Sequence, residues 1–121
     1  MHHPEDDLQR AVAEYLDLQG WLWWHTPNGG RRDKREAARF RRLGVRPGVP
    51  DVLIFERWQD GEEQGFGVAI ELKAGKGRLS PEQFRTLAEL DRRGWWAAVA
   101  WTLDEVIEIC SRVTPGRKTD G

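Results

Sequence analysis

At 121 residues the chain can bury a real core but is too short for two ordinary domains, so one domain over 1–121 is expected, with 1–4 and 114–121 as frayed termini. A formal net charge of -1 argues against a uniformly basic nucleic-acid binder, but the charge is unevenly spread: eight basic residues fall between Arg31 and Arg46 against Asp33 and Glu36, while Glu5, Asp6 and Asp7 crowd the start. Cys110 is the lone cysteine, so no internal disulfide can form, and the start lacks a signal-like apolar core and the chain a membrane-length apolar run; a reducing cytoplasm is the expected setting.

Leu8, Ala11, Val12, Tyr15 and Leu16 recur at helical spacing, which predicts a first amphipathic helix over about 5–19, stopped by Gly20. Trp21 to Thr26 is rich in strand formers and runs into the turn Pro27-Asn28-Gly29-Gly30. The basic stretch after it carries Ala37, Ala38, Phe40 and Leu43 and reads as a helix ending at Gly44. A proline- and glycine-rich lead-in then opens a strand at 51–56, Gln59 to Gly65 reads as a polar hairpin loop, and a strand returns over 66–73. Ala74 to Leu79 is a basic loop that meets a well-marked helix start, with Ser80 as N-cap, Pro81 first in the helix and Gln83 placed for a capping box. That helix should turn Phe84, Leu87, Ala88 and Leu90 inward and stop at Gly94. Trp95 to Trp101 follows as a buried strand, and Thr102 with Glu105 opens a last helix through Val106, Ile109 and Val113. The order α-β-α-β-β-α-β-α describes an α/β fold with a mixed sheet flanked by helices.

Seven tryptophans are many for this length, and core packing accounts for most of them better than a base-stacking surface does. Trp23 and Trp24 cannot face the same side of a strand, nor can Trp95 and Trp96. One of each pair should therefore sit under a helix on the other sheet face or at a subunit contact.

Chemistry is concentrated in the two central strands. Asp51 opens the apolar run Val52 to Phe55, and Glu71 and Lys73 interrupt the run Val68 to Leu72. Alternation places Glu71 and Lys73 on one face, with Ile70 and Leu72 on the other. Unpaired charge in a covered strand costs several kcal/mol. Two carboxylates and an amine there suggest a metal-dependent phosphodiesterase site, against a plainer reading of a Glu71–Lys73 pair reaching solvent at a strand end. A hard Mg²⁺ ion would take Asp51, Glu71 and the Leu72 carbonyl, with water completing its shell, and Lys73 would orient or help deprotonate the attacking water and screen charge on the phosphorus.

Set in order, these pieces resemble the PD-(D/E)XK nuclease superfamily and, within it, the VRR-NUC family. The likeness rests on Glu5 and Gln9 of the first helix, on Asn28-Gly29-Gly30-Arg31, on Gly44 through Asp51, and on Ile70-Glu71-Leu72-Lys73 followed by Gly77 through Gln83. It spans about residues 5–105. The resemblance implies a restriction-endonuclease-like α-β-β-β-α-β core, here with an inserted basic helix and a C-terminal helix. It implies a Mg²⁺- or Mn²⁺-dependent structure-specific DNA endonuclease with Asp51, Glu71, Lys73 and Gln83 as catalytic residues. Glu5 is the expected first-helix acid, reaching the metal directly or through water, with Asp6 and Asp7 as alternatives. Gln83 has two candidate uses, the capping box and the site, which a single side chain is not expected to serve together. Asn28, Arg31, Arg32, Lys34, Arg35, Arg39, Arg42, Lys76 and Arg78 are the expected DNA contacts. Small stand-alone members look like Holliday-junction-cleaving dimers, so a homodimer on branched DNA is expected. A nicking or restriction-like enzyme, or a catalytically silent DNA-binding module, is the competing reading.

Overall fold

The structure, a computed structural model, describes residues 4–27 and 34–114. Helix α1 (Pro4–Gln19) is followed by a short strand β1 (Trp23–His25), the basic helix α2 (Lys34–Arg42) and the long hairpin β2 (Val52–Asp60) and β3 (Glu63–Leu72). Helix α3 (Pro81–Arg92), strand β4 (Trp96–Ala100) and helix α4 (Leu103–Cys110) complete the order. The four strands lie in sequence order across one sheet; β1, β2 and β3 are antiparallel neighbours, and α3 carries the chain across so that β4 runs parallel to β3. This is the α-β-β-β-α-β core with α2 inserted and α4 appended.

One face of the sheet makes the main core. Val52 and Ile54 of β2, Val68, Ile70 and Leu72 of β3, and Ala100 of β4 pack against Val12 and Leu16 of α1 and Val106, Ile109 and Cys110 of α4. The other face carries the odd-numbered residues of β3, where Ala69 is fully buried and Leu87 of α3 is buried with it. Both sheet faces are therefore covered around β3, and Glu71, on the α3 side, is left only 3% exposed.

Alternation divides the tryptophans as expected. Trp23 and Trp96 join the main core, with Trp96 edge-on to Trp58. Trp24, half-exposed, stacks on Phe55 at 4.1 Å between centroids, and Phe55 meets Trp95 edge-on at 5.6 Å. Gly67 makes room for this aromatic row: a Cβ there would fall 2.4 Å from the Trp95 ring, and its φ of +93° suits glycine.

The helix ends follow their local chemistry. Gly44 and Gly94 both take positive φ and close Schellman motifs: the amide of Val45 returns to the Phe40 carbonyl and that of Trp95 to the Leu90 carbonyl. Helix α4 ends at Cys110, three residues before Val113, whose backbone instead bridges to Trp58. The expected loop over 59–65 is not a loop. Asp60 pairs with Glu63 across Gly61-Glu62, so both strands continue through polar residues. Gly61, at φ +62°, supplies the positive angle that a tight two-residue turn needs at its first position.

The strand expected as buried over 95–101 is β4, Trp96–Ala100, half-buried except at Ala100 because it lies at the sheet edge, and Trp101 beyond it is exposed. Phe84 is a further correction. It is 64% exposed, because the inward stripe of α3 runs through Gln83, Leu87 and Leu90, and Phe84 lies about 100° around the helix from Gln83.

Candidate active site

Antiparallel pairing brings the start of β2 beside the ends of β1 and β3, so chemistry from distant sequence positions collects at one end of the sheet. The N-terminal turns of α1 and α3 arrive at the same end. Glu5, Asp6, Gln9, His25, Pro27, Asp51, Glu71, Leu72, Lys73 and Gln83 line one open cleft of about 380 Å³.

Asp51 is fixed at both its main chain and its side chain. Its carbonyl accepts from the Thr26 amide and from His25 Nδ1, each at 2.8 Å, and its Oδ2 accepts from the Leu72 amide at 2.8 Å. A carbonyl can only accept, so His25 carries its proton on Nδ1 in this contact. The loop before Asp51 is held as closely. Gly48, at φ +81°, lies so near the first turn of α3 that a Cβ would sit 2.7 Å from the Glu82 carbonyl carbon and oxygen. Pro50 is fully buried. The Gly-Val-Pro-Asp segment thus ties Asp51 to the helix that bears Gln83.

Glu71 is held asymmetrically. Oε1 accepts from Gln83 Nε2 at 3.0 Å and pairs with Lys73 Nζ at 3.5 Å, while Oε2 is buried and receives no hydrogen bond from any donor; the Asp51 carboxylate is near enough to share a proton with Glu71 when it is protonated. Burial, followed by the neighbouring Asp51 carboxylate, raises its pKa from 4.5 to about 8; Lys73 opposes the shift and does not cancel it.

Gln83 resolves the expected conflict between its two uses. Its Oε1 accepts from the Ser80 amide at 2.9 Å, completing the capping box with the Ser80 hydroxyl, and its Nε2 reaches Glu71 at the same time. The two ends of one amide do both jobs, and the cap dictates which end faces the carboxylate.

The remaining expected residues divide clearly. Glu5 lines the cleft, and so does its alternative Asp6, whereas Asp7 pairs with Arg10 at 3.6 Å. Lys76 and Arg78 are exposed in the loop that leaves Lys73. Lys34, Arg35, Arg39 and Arg42 are exposed on α2, a helix with no buried residue, and none of them lines the cleft. Asn28, Arg31 and Arg32 lie outside the described residues. His25 and Pro27 were not singled out by the sequence; their place depends on how β1 registers against β2, and a lone histidine at a strand end gives no signal of that.

The donor set suits a hard divalent cation. Among the described residues no three or more His, Cys, Asp or Glu side chains are arranged to enclose an ion. Mg²⁺ does not require such a cage: it keeps several waters and uses one or two carboxylates. A buried carboxylate oxygen without a partner, beside a second carboxylate, is what such an ion would satisfy.

Comparison with known proteins identifies the family and the fold. The VRR-NUC domain profile matches residues 3–102. A solved structure described as a VRR_NUC domain protein is similar over 93% of this chain and 89% of its own, with a TM-score of 0.72 and 27% identity. No curated protein matches. With a nuclease-domain profile over most of its length and the fold to go with it, this chain belongs to the VRR-NUC family.

Proposed function

We propose that this protein is a Mg²⁺- or Mn²⁺-dependent structure-specific DNA endonuclease that hydrolyses phosphodiester bonds in branched DNA, Holliday junctions among them. The observation that carries the reading is the unpartnered, buried Oε2 of Glu71 beside Asp51 in a cleft bordered by Glu5 and Asp6. Asp51, Glu71 and the Leu72 carbonyl would hold the ion, with Glu5 or Asp6 contributing through water. A bound divalent ion supplies charge neutralisation for the phosphate and a more acidic water. The chain's own groups do the rest. Gln83 and Lys73 keep Oε1 engaged, which leaves Oε2 for the ion. Lys73 offers its ammonium to the attacking water and to the charge that develops on phosphorus.

The test is a cleavage panel of junction, flap, fork, linear duplex and single strand with Mg²⁺ and with Mn²⁺. Branched substrates should be cut and the reaction should stop in EDTA. Failure to cut any of them with either metal would overturn the proposal.

DNA grip is assigned to α2 and the loop after Lys73. Arg35, Arg39 and Arg42 are exposed and free of core duties, so replacing all three by alanine should leave folding intact. Each lost phosphate contact lowers the slope of log affinity against log salt by about 0.9 on duplex DNA, so the triple variant should flatten it by about two to three units in Ca²⁺. An unchanged slope would show that α2 is only a solvated helix.

A domain this small has little surface with which to embrace a branch, and a two-fold homodimer would present two clefts to a two-fold junction. The half-exposed Trp24 and Phe66 at the ends of the aromatic row offer apolar contact area. Light scattering at micromolar concentration should give twice the 14.0 kDa chain mass. A monomer with and without junction DNA would exclude the dimer.

A further inference from the structure

Beyond the residues that line the cleft, one aromatic side chain beside Lys73 is held in a fixed pose. Trp101 follows the last residue of β4, next to Lys73 in the sheet: the Lys73 amide donates to the Ala100 carbonyl at 2.9 Å. Its own amide donates to the Glu105 carboxylate at 3.0 Å. Its indole N–H donates to the Gly77 carbonyl at 3.2 Å, which ties the ring to the loop between β3 and α3. Gly77 in turn lies against the stem of Lys73, since a Cβ there would be 3.5 Å from Lys73 Cδ. The exposed cations Lys76 and Arg78 flank Gly77 in sequence.

With all of these bonds made, Trp101 is still 41% exposed. The polar edge of the indole is satisfied and its pose is set, so the surface left open is apolar. An oriented aromatic face bonded to a loop that carries two exposed cations, and next in the sheet to Lys73 of the cleft, matches one ligand chemistry well: a nucleobase whose backbone phosphates meet the cations. A base inside a continuous duplex has both faces covered, so the matching base is one released from stacking at a branch point.

We infer that Trp101 is a stacking platform for an unpaired nucleobase of the cleaved strand, adjacent to the scissile phosphate. The inference rests on the nuclease reading above and adds to it the feature by which a branched substrate is told from a linear one.

The test is an abasic scan. A flap or junction oligonucleotide is made with one abasic residue at each position around the cleavage point in turn, and its affinity for the protein is measured in Ca²⁺. Wild type should lose about 5- to 150-fold in affinity at one position, the range expected for a single lost base–aromatic stack. Trp101→Leu keeps apolar bulk without a π face, so its affinity should be low for the intact substrate and indifferent to the abasic residue there. Trp101→Phe loses the bond to Gly77 but can still stack, and it should recover most of the abasic penalty. A purely structural latch would give the opposite pattern, with Phe and Leu equally impaired and the penalty unchanged in both. An equal penalty in wild type and Trp101→Leu, or none at any position in wild type, overturns the inference while leaving the nuclease reading in place. Wild-type protein that binds no DNA at all would sink both.

Discussion

Glu71→Gln and Asp51→Asn are each expected to lower metal-dependent cleavage by at least about 10²–10³-fold, with the fold intact. The size follows from what is lost: electrostatic stabilisation at a preorganised site contributes several kcal/mol to the transition state, and removing even one such group typically costs 10²–10³ in rate. Amides are the better replacements here. Asp51 Oδ2 accepts the Leu72 amide, so alanine at 51 would leave that donor without its partner and cost about 1–3 kcal/mol for a reason unrelated to catalysis. Asparagine keeps an acceptor in place. At 71, the amide oxygen can stay with Gln83 and Lys73 while the NH₂ takes the position of the unpartnered Oε2. Lys73→Ala should also lose cleavage, yet retain Mn²⁺ binding in calorimetry, whereas the two amide variants should lose it. Mn²⁺ affinity equal to wild type in Asp51→Asn would remove Asp51 from the ion's shell.

The elements around this site were legible in the sequence where local chemistry and burial agree. The capping box at Ser80, the Gly44 and Gly94 stops, and the apolar runs of β2 and β3 each carry a short-range signal that the fold keeps. Legibility failed where polar residues stay in a strand. From Arg57 onward β2 and β3 run beyond the partner strand β1, and Gln59 opposite Gln64 and Asp60 opposite Glu63 are exposed, so no buried face imposes alternation. A register shift between Ile54 and Arg57 interrupts the pairing, although Trp58 keeps the parity of Val52 and Ile54 and reaches the core. Gly61, at the first position of the two-residue turn Gly61-Glu62, was the local sign of a tight turn. For the site, Asp51, Glu71 and Lys73 were readable because charge in an apolar strand requires a reason. The double use of Gln83 was not, since it depends on the distance between the first turn of α3 and β3, which no sequence spacing encodes. Phe84 misled for a related reason: reading it as core assumed that the apolar stripe begins at the first apolar residue, whereas a glutamine heads it.

Metal-free protein should lose stability as the pH rises from about 4.5 to about 8, and Glu71→Gln should remove that loss. Unfolded, the Glu71 carboxyl titrates near its ordinary 4.5; folded, burial and the Asp51 carboxylate hold it protonated up to about 8. Below 4.5 both states carry the proton and the group is neutral to the balance. Between the two values the unfolded chain releases a proton that the folded chain keeps, so each step up in pH favours unfolding. Above 8 the folded chain carries two neighbouring carboxylates in a buried setting, and the full cost, on the order of a few kcal/mol, is present. Most paired acids, which are held below their ordinary pKa, stabilise in the opposite sense over a lower range. Urea melts in EDTA across pH 5 to 9 would measure the effect: the wild-type midpoint should fall across this window, and that of Glu71→Gln should stay nearly level and exceed wild type at pH 8.5. Added Mg²⁺ should raise the wild-type midpoint at pH 8.5 and leave the variant where it is, because the ion binds the folded form through the carboxylate that the variant lacks. Parallel pH profiles for the two proteins would mean that Glu71 reaches solvent well enough to ionise normally, and the case for a cation at its unpartnered oxygen would go with it.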